Sequence, residues 1–401
     1  MDNRLHNSLS INSITFTAIH AGIFNIHLLI QVNPGWVVYN DLPRVINSKF
    51  MMQSVLQAYG LNGEVKIEKF GSGLINSTWK VITADKMYIL QRINDAVFTN
   101  PSSVAQNIRL ISDYLQQHYP EYTYAAPLTN NAGEDMVFVE QEGFIRMFPF
   151  IAGSHSKEVL ETSEQAYEAA RQFGRFTKLL SGFDARRLEQ TIPHFHDLGL
   201  RYRQFLHAIA TGNEQRIKDS EELIMILKQH QDIVFEYESI KNDPSFKIRV
   251  THHDTKISNV LFDASGKGLC VIDLDTVMPG YFISDAGDMM RTYLSPVNEE
   301  EKDLSKITVR KAFYKAIIQG YYSEMKEQLS EKEAHSFFYA GKFMIYMQAL
   351  RFLADHLLND VYYGARYEGH NFNRAHNQIV LLQKLIEKEE ELKDYIVLER
   401  I

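Results

Sequence analysis

The feature that most constrains this chain is a short polar block followed by a hairpin pattern. Residues 251–259 read THHDTKISN, with Asp254 and Asn259 separated by four residues. Residues 260–270 then read as strand, glycine-containing turn and strand, and Asp273 lies on the next apolar run. Such a hairpin would place Asn259 and Asp273 side by side at its open end. A fold that carries this block must therefore bring two carboxylates and an amide together.

These three groups are the ones that phosphoryl transfer from ATP requires. One carboxylate orients an acceptor hydroxyl, while an amide oxygen and a second carboxylate hold the magnesium that bridges the phosphates. We therefore predict Asp254 as the catalytic base and Asn259 and Asp273 as metal ligands, with Asp275 holding a second ion or its water. Lys256 either reaches the transferred phosphate or is solvated. The predicted cofactors are ATP and Mg²⁺.

Composition narrows the class of protein further. At 401 residues the chain is long enough for two lobes, and its 45% apolar and 23% charged residues are those of an ordinary soluble protein. A net charge of −8 argues against nucleic acid as a partner. Because Cys270 is the single cysteine, a disulfide within the chain and a Cys-rich zinc site are excluded. We predict a cytoplasmic protein, and the pattern leaves its oligomeric state undetermined.

The first fifty residues differ from the rest. Residues 5–40 contain no Asp, Glu, Lys or Arg, and polar side chains interrupt their mildly apolar run. That interruption disfavours a secretory signal, a membrane helix and any stable membrane association. We predict that residues 1–50 form a disordered or loosely packed extension. Met51 or Met52 opens a well-patterned helix, so translation from either would omit it.

Beyond the extension, the pattern predicts an α+β fold with two lobes. Residues 51–148 form a small lobe with an antiparallel sheet, and residues 154–401 form a larger, mostly helical lobe. Residues 149–153, which contain a Pro and a Gly, are predicted to be the hinge, with ATP beneath it. The β-like runs of the small lobe are residues 65–70, 78–82, 87–93, 136–139 and 144–148.

A glycine loop joins the first two of these runs. Gly71, Ser72 and Gly73, with Asn76 after them, are predicted to bind the ATP phosphates, because successive N–H groups can cradle an anion. The loop is neither a Walker A motif nor a Rossmann turn, since no Gly-Lys-Ser/Thr follows and a strand rather than a helix comes next.

The third run should supply a cation for the phosphates. Arg92 is the predicted residue, but Gln91 points to the opposite face, and an error of one in register would exchange them. Phe148 and Phe150, at the connector, are predicted to line the nucleotide site.

Two later segments complete the prediction. Asp285 and Asp288 are predicted to cap a helix and hold the catalytic loop by accepting hydrogen bonds. Arg351 ends a helix before a segment rich in aromatic and amide side chains that includes Tyr362, and this combination suits a polyol ligand. The alternative is that these polar side chains only tie helix ends together.

With these residues assembled, the chain resembles the aminoglycoside phosphotransferase-like superfamily, which are small-molecule kinases with a protein-kinase-like fold. Within it, the chain is most similar to the N-acetylhexosamine 1-kinases. The resemblance covers about residues 52–396. It is carried by residues 70–76 (FGSGLIN), 89–94 (ILQRIN), 253–256 (HDTK), 271–280 (VIDLDTVMPG) and 351–355 (RFLAD).

The resemblance implies that Asp254 is the base, that Asn259 and Asp273 bind magnesium, and that Arg351 and Tyr362 contact the sugar. It also implies a small-molecule sugar substrate and transfer of the γ-phosphate to the anomeric hydroxyl of an N-acetylhexosamine.

Two departures from the family pattern concern the acceptor. His253 stands where the family usually has Asn, and Ala286 stands where a bulky residue is common. Kinases of the same fold that act on choline or ethanolamine, homoserine or an aminoglycoside are the alternatives. A non-catalytic nucleotide-binding protein is a further one, although such proteins usually lose the base or the metal ligand.

Overall fold

The computed structural model describes residues 52–71, 75–393 and 395, and the backbone of three strands before them. These strands, β1 (Ile14–Thr15), β2 (Leu28–Val32) and β3 (Gly35–Tyr39), form an antiparallel meander that the sequence analysis did not predict. The other residues of the predicted extension lie outside the described part, so that expectation stays a prediction.

The small lobe is a five-stranded antiparallel sheet with one helix, α1 (52–58), on one face. Val55 and Leu56 of this helix are buried against Val81, Leu90 and Met147 of the sheet. The strand order is β4-β5-β6-β8-β7. The strands are β4 (Lys66–Lys69), β5 (Ser77–Ile82), β6 (Met87–Arg92), β7 (Val137–Val139) and β8 (Gly143–Pro149).

Helix α2 (Pro101–His118) connects the small lobe to the catalytic loops of the large lobe. It begins where the Asn100 side chain accepts the N–H of Ser103, with a proline in the first turn. Asn107, which is fully buried, donates to the Val277 carbonyl at 3.1 Å and to the Glu189 carbonyl at 2.8 Å. Asn107 therefore ties this helix to two backbone segments of the large lobe.

The large lobe is mostly helical, as predicted. Its helices are α3 (Ser163–Leu179), α4 (Leu198–Thr211), α5 (Glu214–Asp219), α6 (Glu221–Gln229), α7 (Asp232–Asn242), α8 (Phe282–Tyr293), α9 (Lys311–Met325), α10 (Glu331–His335), α11 (Phe337–Leu357), α12 (His370–Ile386) and α13 (Glu389–Leu392). Helix α11 forms the centre, since all its residues except Lys342 and Arg351 are buried. The predicted α+β, two-lobe architecture is confirmed.

Four short strands interrupt the helices. β9 (Arg249–Thr251) pairs with β12 (Met278–Gly280), and β10 (Val260–Phe262) pairs with β11 (Gly268–Val271), both antiparallel. The tip of the second pair contains Gly266 with φ +85°. None of the described helices is long and apolar enough to cross a bilayer.

Helices α3 and α9 pack closely because small residues lie at their crossing. A Cβ on Gly320 would lie 2.2 Å from the carbonyl oxygen of Tyr167, which belongs to backbone and cannot swing away. We expect Gly320→Ala to lower the free energy of unfolding by about 1–3 kcal/mol through overpacking, although alanine is the better helix former. Gly63→Ala, where a Cβ meets nothing within 4 Å, is the control. Equal melting temperatures for the two variants would contradict this account.

Candidate active site

The hairpin places the predicted residues together at its open end. Val260 pairs with Val271, and the Ile272 N–H donates to the Asn259 carbonyl at 2.9 Å. Asn259 therefore lies beside the segment that carries Asp273, as the strand–turn–strand pattern predicted.

Helix α8 holds the loop before the hairpin by its carboxylates. Asp285, fully buried, accepts the N–H groups of His252 and His253 at 2.9 and 2.8 Å, and Asp288 accepts that of Thr255 at 2.8 Å. His253 has φ +65°, a conformation that costs a non-glycine residue about 1–3 kcal/mol. These charge-assisted bonds offset that cost and set the direction in which Asp254 leaves the loop.

Asp254 has one oxygen engaged and one available. Its Oδ2 accepts the Lys256 ammonium at 2.8 Å and the Asn259 amide at 3.0 Å, whereas Oδ1 accepts no hydrogen bond from any described residue. Burial acts to raise the pKa of Asp254, but the Lys256 charge outweighs it and the pKa is lowered. Asp254 is therefore an ionised carboxylate with one oxygen free to accept from a substrate.

Asp273 is a buried carboxyl group whose charged form is disfavoured by its surroundings. It adopts a left-handed conformation with φ 62°, directly after β11. Burial, and then the neighbouring Asp275 carboxylate, raise its pKa to about 7. A cation bound at Asp273 would remove this penalty, since it favours the ionised form.

The residues present fit a magnesium ion that is also bound by the phosphates of the nucleotide substrate. The described residues contain no group of three or more His, Cys, Asp or Glu side chains arranged around a metal. Mg²⁺ is commonly held by one or two carboxylates together with substrate phosphates. Asn259 suits this arrangement, because its Nδ2 is turned to Asp254, leaving its Oδ1 as the ligand atom.

The structure gives Asp275 contacts that the sequence did not predict. Its side chain is buried between the lobes, where Oδ1 accepts Arg146 at 2.5 Å and Oδ2 accepts Asn76 at 2.8 Å. Both oxygens are thus used within the protein. Asp275 therefore anchors the small lobe, and its predicted role at a second ion stays a prediction.

The register of the sheet corrects the prediction for Arg92. Arg92 shares its face of the sheet with Ile145 and Leu90, away from the other lobe, and its guanidinium pairs with Glu142 at 2.5 Å. Gln91 lies on the face toward the large lobe. The sequence left this choice open, and the residue it favoured was the wrong one.

A buried cation on the face toward the large lobe is Arg146, on the neighbouring strand. The Gln91 Oε1 accepts its Nε at 3.1 Å and its Nη2 at 2.5 Å, and its guanidinium lies 5.0 Å from the Phe148 ring centroid. Arg146 is 1% exposed, and its Nη1 has no hydrogen-bond partner among the described residues. Sequence reasoning missed it because it lies on a strand from which no cation was expected.

Of the glycine loop, Ser72 and Gly73 lie outside the described residues. Gly71 has φ +76° with open space around its Cα, as a loop that approaches a ligand requires. Asn76 joins the end of this loop to the large lobe, since its Nδ2 donates to Asp275 and its Oδ1 accepts the N–H of Asn94 at 3.0 Å.

Aromatic side chains line the connector. Phe70 and Phe150 meet edge to face at 6.2 Å, and the Lys80 ammonium lies 4.4 Å from the Phe150 centroid. Phe148, which lies against Arg146, continues this wall. The two predicted connector residues are thus placed beside the two cations on the inner face of the sheet.

The structure also brings Arg351 and Tyr362 together. The Arg351 guanidinium lies 5.8 Å from the Tyr362 ring centroid, and 5.4 Å from those of Tyr363 and Phe195. Among the residues that the structure describes, no carboxylate pairs with Arg351. A half-buried arginine on an otherwise buried helix, without a counter-ion, is suited to ligand binding.

Phe195 and His196 connect this arginine to the catalytic loop, and sequence reasoning missed both. The His196 ring lies 5.0 Å from that of His253, which precedes Asp254. Burial, then His253 and Arg351, hold the pKa of His196 well below its ordinary value, so its imidazole is neutral. The run His-Phe-His-Asp at 194–197, directly before a helix, was the signal that could have found them.

A loop with two left-handed residues presents Tyr362. Asn359 and Asp360 have φ 65° and 60°. The Asp355 carboxylate accepts the N–H groups of Tyr362 and Tyr363 at 2.7 and 2.9 Å. The tyrosines are therefore positioned by backbone hydrogen bonds rather than by packing alone, as Tyr362 remains 67% exposed.

The fold has two lobes, and its cleft holds Asp254, with one oxygen free to accept a proton, and Asp273, a carboxylate suited to a metal ion. This combination is that of a protein-kinase-like phosphotransferase. Comparison with known families agrees, because residues 66–326 match the phosphotransferase enzyme family, and the chain belongs to it. The matched stretch ends before Arg351 and Tyr362, so it carries the phosphoryl-transfer residues but not the predicted acceptor residues.

Solved structures share the fold at low identity. A microcompartment-associated aminopropanol kinase is 16% identical, with a TM-score of 0.59 over 86% of this chain and 98% of its own. Amicoumacin kinase in complex with AMP-PNP, Ca²⁺ and Ami is 14% identical, with a TM-score of 0.56 over 85% of this chain and 96% of its own. Choline kinase from Cryptosporidium parvum Iowa II is 12% identical, with a TM-score of 0.55 over 87% and 99%.

Removal of the arginine from the buried Arg146–Asp275 pair should cost far more stability than its removal from the more exposed Arg92–Glu142 pair. The two arginines lie on the neighbouring strands β8 and β6. Arg146→Met leaves the Asp275 carboxylate buried without its cation, and we expect a loss of about 3–5 kcal/mol in the free energy of unfolding. Arg92→Met removes a pair that is 41% and 28% exposed, with an expected loss of about 0–1 kcal/mol. Urea denaturation of the two variants measures both. Similar losses would refute the distinction between the two faces.

Proposed function

We propose that this protein is an ATP- and Mg²⁺-dependent kinase that phosphorylates the anomeric hydroxyl of N-acetylhexosamines. The family supports phosphoryl transfer from a nucleotide, and the similar amicoumacin kinase was crystallised with AMP-PNP and Ca²⁺. The observation that carries the choice of acceptor is the guanidinium of Arg351, which has no described carboxylate partner and lies 5.4 Å from the ring centroids of Phe195 and Tyr363. Phe195 in turn lies 6.4 Å from the ring of His253 in the catalytic loop.

Charge at this position favours a neutral polyol over an amine. Arg201 lies close to Arg351, its pKa is lowered by burial and then by the Arg351 charge, and no described carboxylate forms an ion pair with it. A cationic acceptor such as choline or aminopropanol would meet two guanidinium groups, and like charges at short range repel. The rings that could cage a cation already lie around Arg351. Sugar hydroxyl and amide oxygens are instead acceptors for its donors.

The residues of the catalytic loop have distinct tasks in this reaction. The free Oδ1 of Asp254 accepts the hydrogen bond of the acceptor hydroxyl and receives its proton as the oxygen attacks the γ-phosphorus and ADP leaves. Burial acts to lower the pKa of Lys256, but Asp254 and Asp273 outweigh it and raise the pKa, so this side chain stays charged near the transferred phosphoryl group. Asp273 and the Asn259 Oδ1 would hold Mg²⁺, which supplies neutralisation of phosphate charge.

A screen of acceptors tests the proposed function. With ATP and Mg²⁺ we expect transfer to GlcNAc or GalNAc and not to choline, ethanolamine or homoserine, measured by ADP release and by identification of the sugar 1-phosphate. Asp254→Asn should lower turnover by about 10²–10⁴-fold while nucleotide binding persists, because only the proton acceptor changes. Asp263→Asn, at the far end of the same hairpin, is the control. Exclusive phosphorylation of an amino alcohol would overturn the proposal.

Arg351 should affect the acceptor and not the nucleotide. Loss of hydrogen bonds to a charged donor costs about 1.5–3 kcal/mol, so we expect Arg351→Met to raise the KM for the sugar by about 10- to 100-fold. The KM for ATP should stay within about twofold, since uniform binding to one substrate is lost. Lys342→Met, at the other incompletely buried position of the same helix, is the matched control. A rise in the KM for ATP alone would contradict this assignment.

A further inference from the structure

A carboxylate held between two arginines lies behind the site, in the segment that follows α8. Glu299 Oε2 accepts the Arg291 Nη1 at 2.6 Å, and Oε1 accepts a donor of Arg374. Burial acts to raise the pKa of Glu299, but the two guanidinium groups outweigh it and the pKa is lowered. Glu299 is therefore a charged bridge between helices α8 and α12.

On one side, this bridge leads to the catalytic loop. The Arg291 Nε donates to Asp288 Oδ1 at 3.0 Å, and Asp288 Oδ2 accepts the backbone N–H of Thr255 at 2.8 Å. Thr255 follows Asp254 in the chain. Two side chains thus separate Glu299 from the backbone that orients the base.

On the other side, the bridge leads to the loop that presents Tyr362 and Tyr363. Arg374 Nη1 donates to Asn371 Oδ1 at 3.2 Å, and Asn371 Nδ2 donates to Asp355 Oδ2 at 3.1 Å. Asp355 accepts the N–H groups that present Tyr362 and Tyr363. The members of this path are mostly buried, with Asn371 at 0% and Asp355 at 5% exposure.

We propose that Glu299 is a positioning residue that sets the distance between the catalytic base Asp254 and the acceptor-binding loop that carries Tyr362 and Tyr363. The inference rests on the proposed function only in taking the acceptor to lie against Arg351 and Tyr362. Two loops carry the base and these tyrosines, and neither is continuous with the other in sequence. A charged carboxylate that accepts hydrogen bonds through both oxygens resists relative displacement of the two loops. Misplacement of a catalytic group by about 1 Å can lower the rate by about 10²-fold.

The position of Glu299 predicts which kinetic constant it affects. The inner face of the sheet, with Arg146 and Phe148, and the metal loop at Asp273 are anchored by other contacts, chiefly through Asp275. Loss of the bridge should therefore disturb the acceptor and leave the nucleotide in place. A purely stabilising role would affect neither substrate selectively.

The experiment compares Glu299→Gln with Glu324→Gln. Glu324 also lies between two cations, Arg171 and Lys178, and its side chain is 18% exposed against 22% for Glu299, but it joins α3 to α9 away from the site. Both variants should lose stability. We expect only Glu299→Gln to lower kcat/KM for the acceptor, by about 10- to 100-fold, with the KM for ATP within about twofold.

Hydrogen exchange supplies a readout that needs no acceptor. In Glu299→Gln, amides of residues 251–259 and of residues 358–364 should both exchange faster than in the wild type, and in Glu324→Gln neither should. If the screen finds another acceptor, the kinetic arm uses that compound, so failure of the proposed function stays distinguishable. Should Glu299→Gln not fold, Arg374→Lys, which keeps the charge, replaces it. Unchanged exchange in either segment, or equal effects of the control, would overturn the inference.

Discussion

The structure depends on the capture of three backbone N–H groups by two carboxylates of helix α8. Asp285 and Asp288 accept from His252, His253 and Thr255, a loop whose backbone turns through a left-handed residue and could not otherwise satisfy these donors. Helix α8 is in turn packed on the buried helix α11. The loop that carries the predicted base is thus held, through helix α8, against the buried helix α11 at the centre of the large lobe. Preorganised catalysis requires a base that is held in this way.

The small lobe is joined to the large lobe through polar contacts rather than through a continuous apolar core. The two lobes have separate hydrophobic clusters, the smaller built around Val81 and Leu90. Arg146 and Asn76 meet Asp275 between them, and Asn107 meets the Val277 carbonyl. Directional bonds of this kind hold Asn76 and the inner face of the small-lobe sheet against the segment that carries Asp273 and Asp275.

The acceptor end follows a different logic. Arg351 and Arg201 form ion pairs with no described carboxylate, whereas Arg291 and Arg374 behind them share one in Glu299. The protein thus leaves its positive charge uncompensated where a ligand would bind and neutralises it where structure is needed. Because no described carboxylate relieves the repulsion between these two guanidinium groups, this end of the site suits a ligand with oxygen acceptors.

Sequence reasoning was most successful where the relevant residues are close in the chain. The hairpin brought Asn259 to the Asp273 segment because a turn of few residues leaves little choice, and the carboxylates of α8 were correctly assigned to holding the loop. The two-lobe architecture followed from the change in hydrophobic period near residue 150. Low identity to solved structures did not impair these inferences, since they rest on local geometry.

What the sequence by itself predicted, therefore, is a phosphotransferase in which Asp254, Asn259 and Asp273 are the candidate residues, and the chain belongs to that family. Tertiary structure decided which cation faces the cleft, because strand register is set by packing against α1 and turned Arg92 outward while Arg146 turned inward. It also paired Asp275 with Arg146 and Asn76 across the lobes, and it brought His196 from a distant segment to His253, next to the predicted base. Such contacts are invisible in a pattern, since they depend on which helices pack together rather than on spacing along the chain.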